Sequence, residues 1–482
     1  MNYRTVISIL GRILLIEAGL LLVPVLVSAL YGEALAPFLW TILIAGAGGG
    51  LFLVIGQDDG DIRAREGFVS VALSWIVISL AGALPFVFSG TIPSYVDALF
   101  ETVSGFTTTG ASILPEVESL PRGILFWRCF THWIGGMGVL VFMMAVMPMD
   151  EEHSLHLLRA EVTGPVKGKL VPRMRSTARI LYLIYVGLSV ILTIFLLCGH
   201  MSLYDALLTA FGTASTGGFG IRNASIGAFH SAYIEMVVAV FMLLFGINFN
   251  LFYIALLRRS LKGFKSEELA WYGAIVLFAT VTIALSILPQ YGTLLQSLRY
   301  SFFQVSTIIT STGFGTADFC QWPEYARMML VALMVVGACA GSTGGGTKVA
   351  RLVIVLKTAW SELRRLVFPR SVSRITLDGE RLEERTIRNT MVYMLLYALL
   401  VIASCLLLSL DGLDFETTVT SVISALSNIG PGLGQVGPSG NYSVWSAPAT
   451  LLLSLLMLLG RLEIFPILML FAPGIWVGRK KA

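Results

Sequence analysis

The chain alternates between long apolar stretches and short polar interruptions over almost its whole length. Apolar runs fall at 6–30, 37–56, 67–90, 124–148, 179–199, 232–257, 270–289, 325–357, 389–410 and 446–474. Each is long enough to span, since about 20 apolar helical residues cross the hydrocarbon core. Four shorter segments of mixed polarity lie at 94–113, 202–220, 293–315 and 412–433. They are too short and too polar to span, and too regularly placed to be ordinary loops. From residue 67 onward the order is span, semi-polar segment, span, four times over. Recurrence at a near-constant period marks one structural unit used repeatedly. The pattern predicts an all-α membrane protein with ten transmembrane helices and four re-entrant pore loops in a pseudo-fourfold arrangement. Its units are two leading helices over 1–60 and four pore repeats over 61–160, 161–265, 266–375 and 376–482.

Each semi-polar segment opens like a helix. Ser94 with Asp97, Ser202 with Asp205, and Thr293 with Gln296 fit the capping box, in which a hydroxyl takes up a free backbone N–H three residues on. The fourth opens less cleanly, around Asp411 and Asp414. Each segment then closes on a small polar run ending in glycine. The runs are Thr107-Thr108-Thr109-Gly110, Ala214-Ser215-Thr216-Gly217, Thr310-Ser311-Thr312-Gly313 and Ser427-Asn428-Ile429-Gly430, with glycines 107, 96 and 117 residues apart. One such run is an ordinary turn; four in matched positions predict short helices that dip into the membrane and return as extended strands. Non-helical backbone at membrane depth survives only where protein buries it or water reaches it. Four such strands around an axis offer rings of carbonyls that replace an ion's hydration shell. The short helices aim their negative ends at the same axis, which favours a cation. The candidate filter residues are therefore Thr108, Thr109, Gly110, Ser215, Thr216, Gly217, Ser311, Thr312, Gly313, Asn428, Ile429 and Gly430. The last run breaks the Thr/Ser pattern, so the four sides need not be equivalent.

Further polar features lie beyond these runs. Gly138, Gly246, Gly344 and Gly460 follow their filter glycines by 28, 29, 31 and 30 residues, which fits either helix packing or a shared level near the pore. Counting 31 residues from each filter glycine reaches Val141, Asn248, Gly344 and Arg461. An arginine this deep in a span faces a cavity or a partner, and Glu463, two residues on, does not face it on a continuous helix. The third repeat carries Gly341-Ser342-Thr343-Gly344-Gly345-Gly346-Thr347-Lys348. Its glycines break the helix, leaving either a kink or a flexible loop that gates the path together with Lys348 and Arg461. The string is like a phosphate-binding loop, but Thr347 separates the glycines from Lys348, and a nucleotide cannot reach mid-span. His132, beside Trp133, reads as a packed structural histidine rather than a proton relay.

Composition narrows the class. The 482 residues are 56% hydrophobic and 13% charged, about half the charge of a soluble domain. The linkers 149–179, 258–268 and 357–388 hold six, four and eight Lys or Arg residues. By the positive-inside rule they are cytoplasmic, the semi-polar segments enter from outside, and both termini are cytoplasmic. Arg479-Lys480-Lys481 agrees. Residues 3–30 are expected to span rather than to be a cleaved signal. The five cysteines show no pairing pattern, so free thiols are expected. The spans hold no paired carboxylates or nucleophile–base set, so the chain does not read as an enzyme, and no nucleic-acid partner is expected.

The four filter runs, the Gly341–Lys348 string and Arg461 resemble the bacterial Trk/Ktr family of potassium transporters, of the TrkH type, over essentially the whole chain. The resemblance implies potassium uptake across the bacterial inner membrane, with potassium ion as cargo at the filter residues and residues 341–346 as the gate. It also implies a homodimer with one pore per protomer, embedded in membrane lipid, and a cytoplasmic nucleotide-binding regulatory subunit of the TrkA type. The alternative that stays open is a proton- or sodium-coupled potassium symporter, since coupled transporters favour broken spanning helices.

Overall fold

The computed structural model describes residues 1–56, 64–138, 174–258, 265–369 and 374–472, and these are predominantly helical. The last part of the 124–148 run, Val141, most of the 149–179 linker and the basic triplet at 479–481 lie outside the described residues. The chain opens with α1 (Tyr3–Leu20), α2 (Leu22–Leu30) and α3 (Ala36–Ile55). Here α1 and α3 cross closely at two glycines: a Cβ added to Gly11 would lie 2.8 Å from the Gly49 carbonyl oxygen, the small-residue contact that membrane helices favour. Next come α4 (Ala64–Gly82), α5 (Leu84–Phe88), α6 (Tyr95–Phe106), α7 (Arg122–Gly136), α8 (Met174–Cys198), α9 (Leu203–Ala214), α10 (Ala232–Phe245) and α11 (Phe249–Arg258). The chain continues through α12 (Glu267–Tyr291), α13 (Leu294–Ile309), α14 (Glu324–Val336), α15 (Val349–Val367), α16 (Glu384–Leu408), α17 (Phe415–Ser427), α18 (Ala447–Arg461) and α19 (Phe465–Leu470).

Among the described residues, six stretches are helical, long and apolar enough to cross a membrane: Tyr3–Leu30, Ala36–Ile55, Arg65–Phe88, Ala178–Cys198, Glu267–Tyr291 and Glu384–Asp411. They include the first span of every repeat. Their outward faces leave Leu183, Leu277, Leu395 and Leu406 exposed, as contact with lipid requires.

The second apolar runs of the later repeats are built differently. The apolar runs at 232–257 and 446–474 read as continuous helices, and the sequence predicts a break only near 341–346. Instead α10 and α11 are bent by 88°, α14 and α15 flank a non-helical stretch, and α18 and α19 part at Glu463 and Ile464, with φ of 56° and 67°. Hydropathy measures apolar content and is blind to such bends. At the first break, Asn248 Oδ1 accepts the Asn250 N–H at 2.9 Å, the local side-chain-to-backbone bond by which asparagine competes with helix.

The four short helices α6, α9, α13 and α17 sit at the centre, largely buried. Each is started by a side-chain cap. Ser94, Ser202, Thr293 and Asp414 accept the N–H three residues on, at 3.4, 3.1, 3.4 and 2.9 Å. The fourth cap is thus Asp414, and its hydrogen bonds from Thr417 hold its carboxyl below the ordinary value, so it stays ionised at neutral pH. Glu33 caps α7 from a distant loop, accepting the Arg122 and Gly123 N–H groups at 2.7 and 2.8 Å.

Polar contacts join each repeat to the next. Arg128, on α7, donates to Glu101 at 2.6 Å and to the Gly220 carbonyl at 3.0 Å. Glu235 holds Arg299 through two bonds of 2.6 Å. Arg327 reaches Glu416 at 2.9 Å, and the Tyr442 N–H reaches the Ser112 carbonyl at 2.8 Å. All five cysteines are free thiols.

The Glu101 site is the most demanding of these. Its carboxylate also accepts the Ser112 hydroxyl and the Ile113 N–H, and both ions of the pair are buried. Replacing Glu101 with alanine leaves Arg128 as an uncompensated buried charge and should destabilise the fold by about 3–5 kcal/mol. Glu33→Ala removes only a cap and should cost about 1 kcal/mol. Thermal melts of the purified protein in detergent compare the two, and equal losses would refute the assignment.

Candidate functional site

The four short helices end in one shared conformation. Thr108, Thr216, Ser311 and Asn428 have φ of 54°, 54°, 59° and 53°, the left-handed region, which costs a non-glycine residue roughly 1–2 kcal/mol. The next N–H bonds back to a carbonyl five residues earlier: Thr109 to Ser104 at 2.9 Å, Gly217 to Gly212 at 2.9 Å, Thr312 to Thr307 at 2.8 Å and Ile429 to Ser424 at 3.0 Å. A glycine with positive φ follows each: Gly110 at 82°, Gly218 at 79°, Gly313 at 85° and Gly430 at 101°.

This register corrects the second run. The residues matching Thr108-Thr109-Gly110 are Thr216-Gly217-Gly218, one place beyond the expected Ser215-Thr216-Gly217; Ser215 caps the end of α9, as Thr107 caps α6. The string Ser215-Thr216-Gly217-Gly218 offers two glycines, and sequence alone does not say which takes the positive φ. Gly217 stands where the other repeats carry Thr109, Thr312 and Ile429. The reason is His132: a Cβ on Gly217 would lie 2.6 Å from its imidazole ring. That ring is fully buried and bonds the Gly105 carbonyl at 2.6 Å, a bracing role.

The strands follow one another around a common centre. A Cβ on Gly110 would lie 2.1 Å from the Gly217 carbonyl oxygen, one on Gly218 1.7 Å from that of Thr312, one on Gly313 2.1 Å from that of Ile429, and one on Gly430 2.7 Å from that of Thr109. The cycle runs one to two to three to four and closes on one. All four glycines line a cavity of about 170 Å³ that also touches Arg128 and Arg222.

On the other side of the strands lies the glycine loop between α14 and α15. It leaves the helix at Gly337 and returns at Gly346, where a Cβ on either would overlap the other. The four left-handed residues contact this layer. Thr108 Oγ1 accepts from Arg461 at 3.2 Å, and Thr216 Oγ1 meets Thr343 Oγ1 at 3.4 Å. Ser311 Oγ accepts the Gly345 N–H at 2.5 Å, and Asn428 donates to Met457 O at 2.8 Å and to Thr109 Oγ1 at 3.0 Å. Arg461 also donates to Thr343 O at 3.0 Å, Gly135 O at 2.5 Å and Gly136 O at 2.8 Å. It thereby ties the loop to the first strand and to α7. Glu268, buried at the start of α12, accepts the Ala340 N–H at 2.6 Å and the Ala350 N–H at 3.2 Å, gripping both ends of the loop. Lys348 turns back onto Gly344 O, and Ser342 onto Cys339 O. The Gly341 carbonyl accepts the Phe249 N–H at 3.0 Å, so the loop also rests on the bend between α10 and α11.

A family model described as a cation transport protein, TrkH, matches residues 37–289 and 276–476. The chain belongs to the TrkH family. It is 37% identical over 99% of its length to the whole of the Trk system potassium uptake protein TrkH of Escherichia coli K12. It is 34% identical, again over 99% of its length, to the whole of the protein of the same name from Halomonas elongata. The crystal structure of the potassium transporter TrkH from Vibrio parahaemolyticus superposes with a TM-score of 0.90 at 32% identity, covering 99% of this chain and 100% of that one. These TrkH relatives are transport proteins rather than enzymes, and the family agrees with the six membrane-length helices in placing the chain in a membrane.

Within this TrkH-family frame, the structure gathers Gly341, Ser342, Thr343, Gly344, Gly345, Gly346, Lys348 and Arg461 into one layer against the strands. Gly218, Glu268 and Arg351 carry no signal in the sequence that singles them out, and Glu463 stands out there only as a residue that does not face Arg461. Glu463, at the break between α18 and α19, ion-pairs with Arg351 in the first turn of α15. Glu268 looks in the sequence like an ordinary acidic first turn after Ser266.

Gly218→Ser should abolish transport beyond rescue, because both its φ and the neighbouring carbonyl forbid a side chain. Gly217→Ser should be harmful alone but recovered by His132→Ala, since the matching positions elsewhere hold Thr or Ile. Cation flux into liposomes, with potassium and sodium in competition, reads both; recovery at 218 rather than 217 would overturn the register.

Proposed function

We propose that this chain takes up potassium through a single pore whose selectivity filter is the ring of four strands. The observation that carries the proposal is the cyclic closure, in which each glycine abuts the next strand's carbonyl. Backbone oxygens ringed at membrane depth suit a bare, weakly hydrated cation, and the TrkH relatives are named for potassium uptake. The proposed architecture is ten spans with four re-entrant loops, both termini cytoplasmic, in a bacterial inner membrane. The partners follow the family: a second copy of the chain and a cytoplasmic nucleotide-binding subunit of the TrkA type. A membrane potential supplies about 2.3 kcal/mol per charge per 100 mV, roughly fifty-fold accumulation, so no chemical step is needed.

Residues 341–346 act in this proposal as the gate. Arg461 sets a fixed positive charge beside the loop, a barrier that low dielectric magnifies, and its four bonds tie Thr343 of the loop to Thr108 of the first strand and to the end of α7. Glu268 and Lys348 keep the loop closed on itself. Coupled symport stays as the second reading because three second spans are broken. Passive flux that follows voltage alone in liposomes supports the channel; a requirement for a proton or sodium gradient supports the symporter.

Arg461→Ala should raise potassium flux per folded protein, and Arg461→Lys should raise it less, because one ammonium cannot serve all four acceptors. Normalised flux at or below wild type for the alanine variant would rule out the barrier. Glu268→Ala should also raise flux, whereas Glu268→Gln, which keeps an acceptor for both N–H groups, should stay near wild type.

A further inference from the structure

The four glycine carbonyls of the ring differ in what they touch. Among the described residues, the oxygens of Gly110, Gly218 and Gly313 accept no hydrogen bond. The Gly430 oxygen accepts two, from the Ser424 hydroxyl at 2.7 Å and from the Tyr442 hydroxyl at 2.7 Å. Ser424 stands on α17, behind its own strand. The backbone register sets it level with Ser104 and Thr307, whose hydroxyls are buried and, among the described residues, without a partner. The same kind of group is thus available in the first and third repeats but takes up the carbonyl only in the fourth. Tyr442 completes the grip. It is buried, its N–H is fixed to the Ser112 carbonyl at 2.8 Å, and its ring packs on Phe100 with centroids 5.5 Å apart. The phenol is therefore carried on a frame shared by the fourth and first repeats. Gly430 also departs in backbone angle, with φ of 101° against 79–85° for the other three.

A carbonyl that already accepts two protein hydroxyls has its lone pairs occupied and less to offer an ion than its three unbonded counterparts. We propose that Tyr442, with Ser424, is a positioning residue that withholds the fourth carbonyl, so that the outermost ring coordinates a potassium ion by three backbone oxygens and leaves its fourth side to water. This rests on the strand ring being the ion path. Such a site strips the ion only in part. It binds less tightly than a four-carbonyl ring and favours the larger cation less.

The test is Tyr442→Phe, Ser424→Ala and the double variant in liposomes, beside wild type. The ring of phenylalanine keeps the packing on Phe100 and removes only the donor. Half-saturating potassium and competition by sodium are measured apart from maximal rate per folded protein. Losing one donor should lower the half-saturating potassium concentration about three- to tenfold, the equivalent of one net hydrogen bond. Sodium should compete less, and the double variant should shift further than either single one. Ser424→Ala carries the same expectation if the tyrosine variant folds poorly. Unchanged half-saturation and sodium competition in all three variants overturns the proposal. So does a uniform loss of rate for every cation, which is what a merely structural role would give. A wild-type protein that passes no cation overturns the transport reading itself, and this inference with it.

Discussion

Backbone carbonyls in a membrane interior must be hydrogen-bonded, buried against protein or offered to water or an ion, and the whole centre of this protein is arranged around that constraint. Four helices stop short inside the molecule, each at a residue in the left-handed region. From there a stretch of backbone runs on, and at Gly110, Gly218 and Gly313 its carbonyls accept no hydrogen bond among the described residues. Such strain persists only where surrounding structure over-determines it. The surroundings here are the side-chain caps that start each helix, the buried Arg128–Glu101 pair, and His132 pressed against Gly217. The ring closes because glycine leaves room for the next strand's oxygen at each step.

The polar groups of the molecule are concentrated where the repeats meet. Arg128, Glu235, Arg327 and Tyr442 each reach from one repeat to the next. Buried ion pairs are weak evidence for stability, because desolvation offsets much of the attraction. Their value here is geometric. A bidentate pair such as Arg299 with Glu235 fixes orientation as well as distance, and four junctions of fixed orientation hold a ring in register.

The loop against the strands shares this framework. Thr343, Gly344 and Gly345 lie against the second, third and fourth strands, and Arg461 binds the loop to the first. A displacement of the loop therefore cannot be wholly separate from the strands. The broken second spans supply the docking ledge: the bend at Phe245–Phe249 bonds the loop's backbone, and the break after Arg461 frees Glu463 to meet Arg351.

Sequence alone revealed the membrane-length first helices and the four short capped helices with their glycine runs, because these rest on local properties: apolar length, hydroxyl caps and small polar runs closing on glycine. It also brought Arg461 and the glycine string to notice, since charge and clustered glycine are conspicuous inside a span. Tertiary structure decided the rest. Whether Gly217 or Gly218 takes the positive φ depends on where His132 packs, eighty-five positions earlier in the chain. Whether the second spans bend depends on side chains that bond their own backbone, as Asn248 does, and on partners far away in sequence. The grip of Glu268 on both ends of the loop, and of Tyr442 on one carbonyl of four, joins groups that no local pattern links. Hydropathy and spacing record what each segment is made of, whereas the direction of a carbonyl is set by whatever neighbour the fold brings to it.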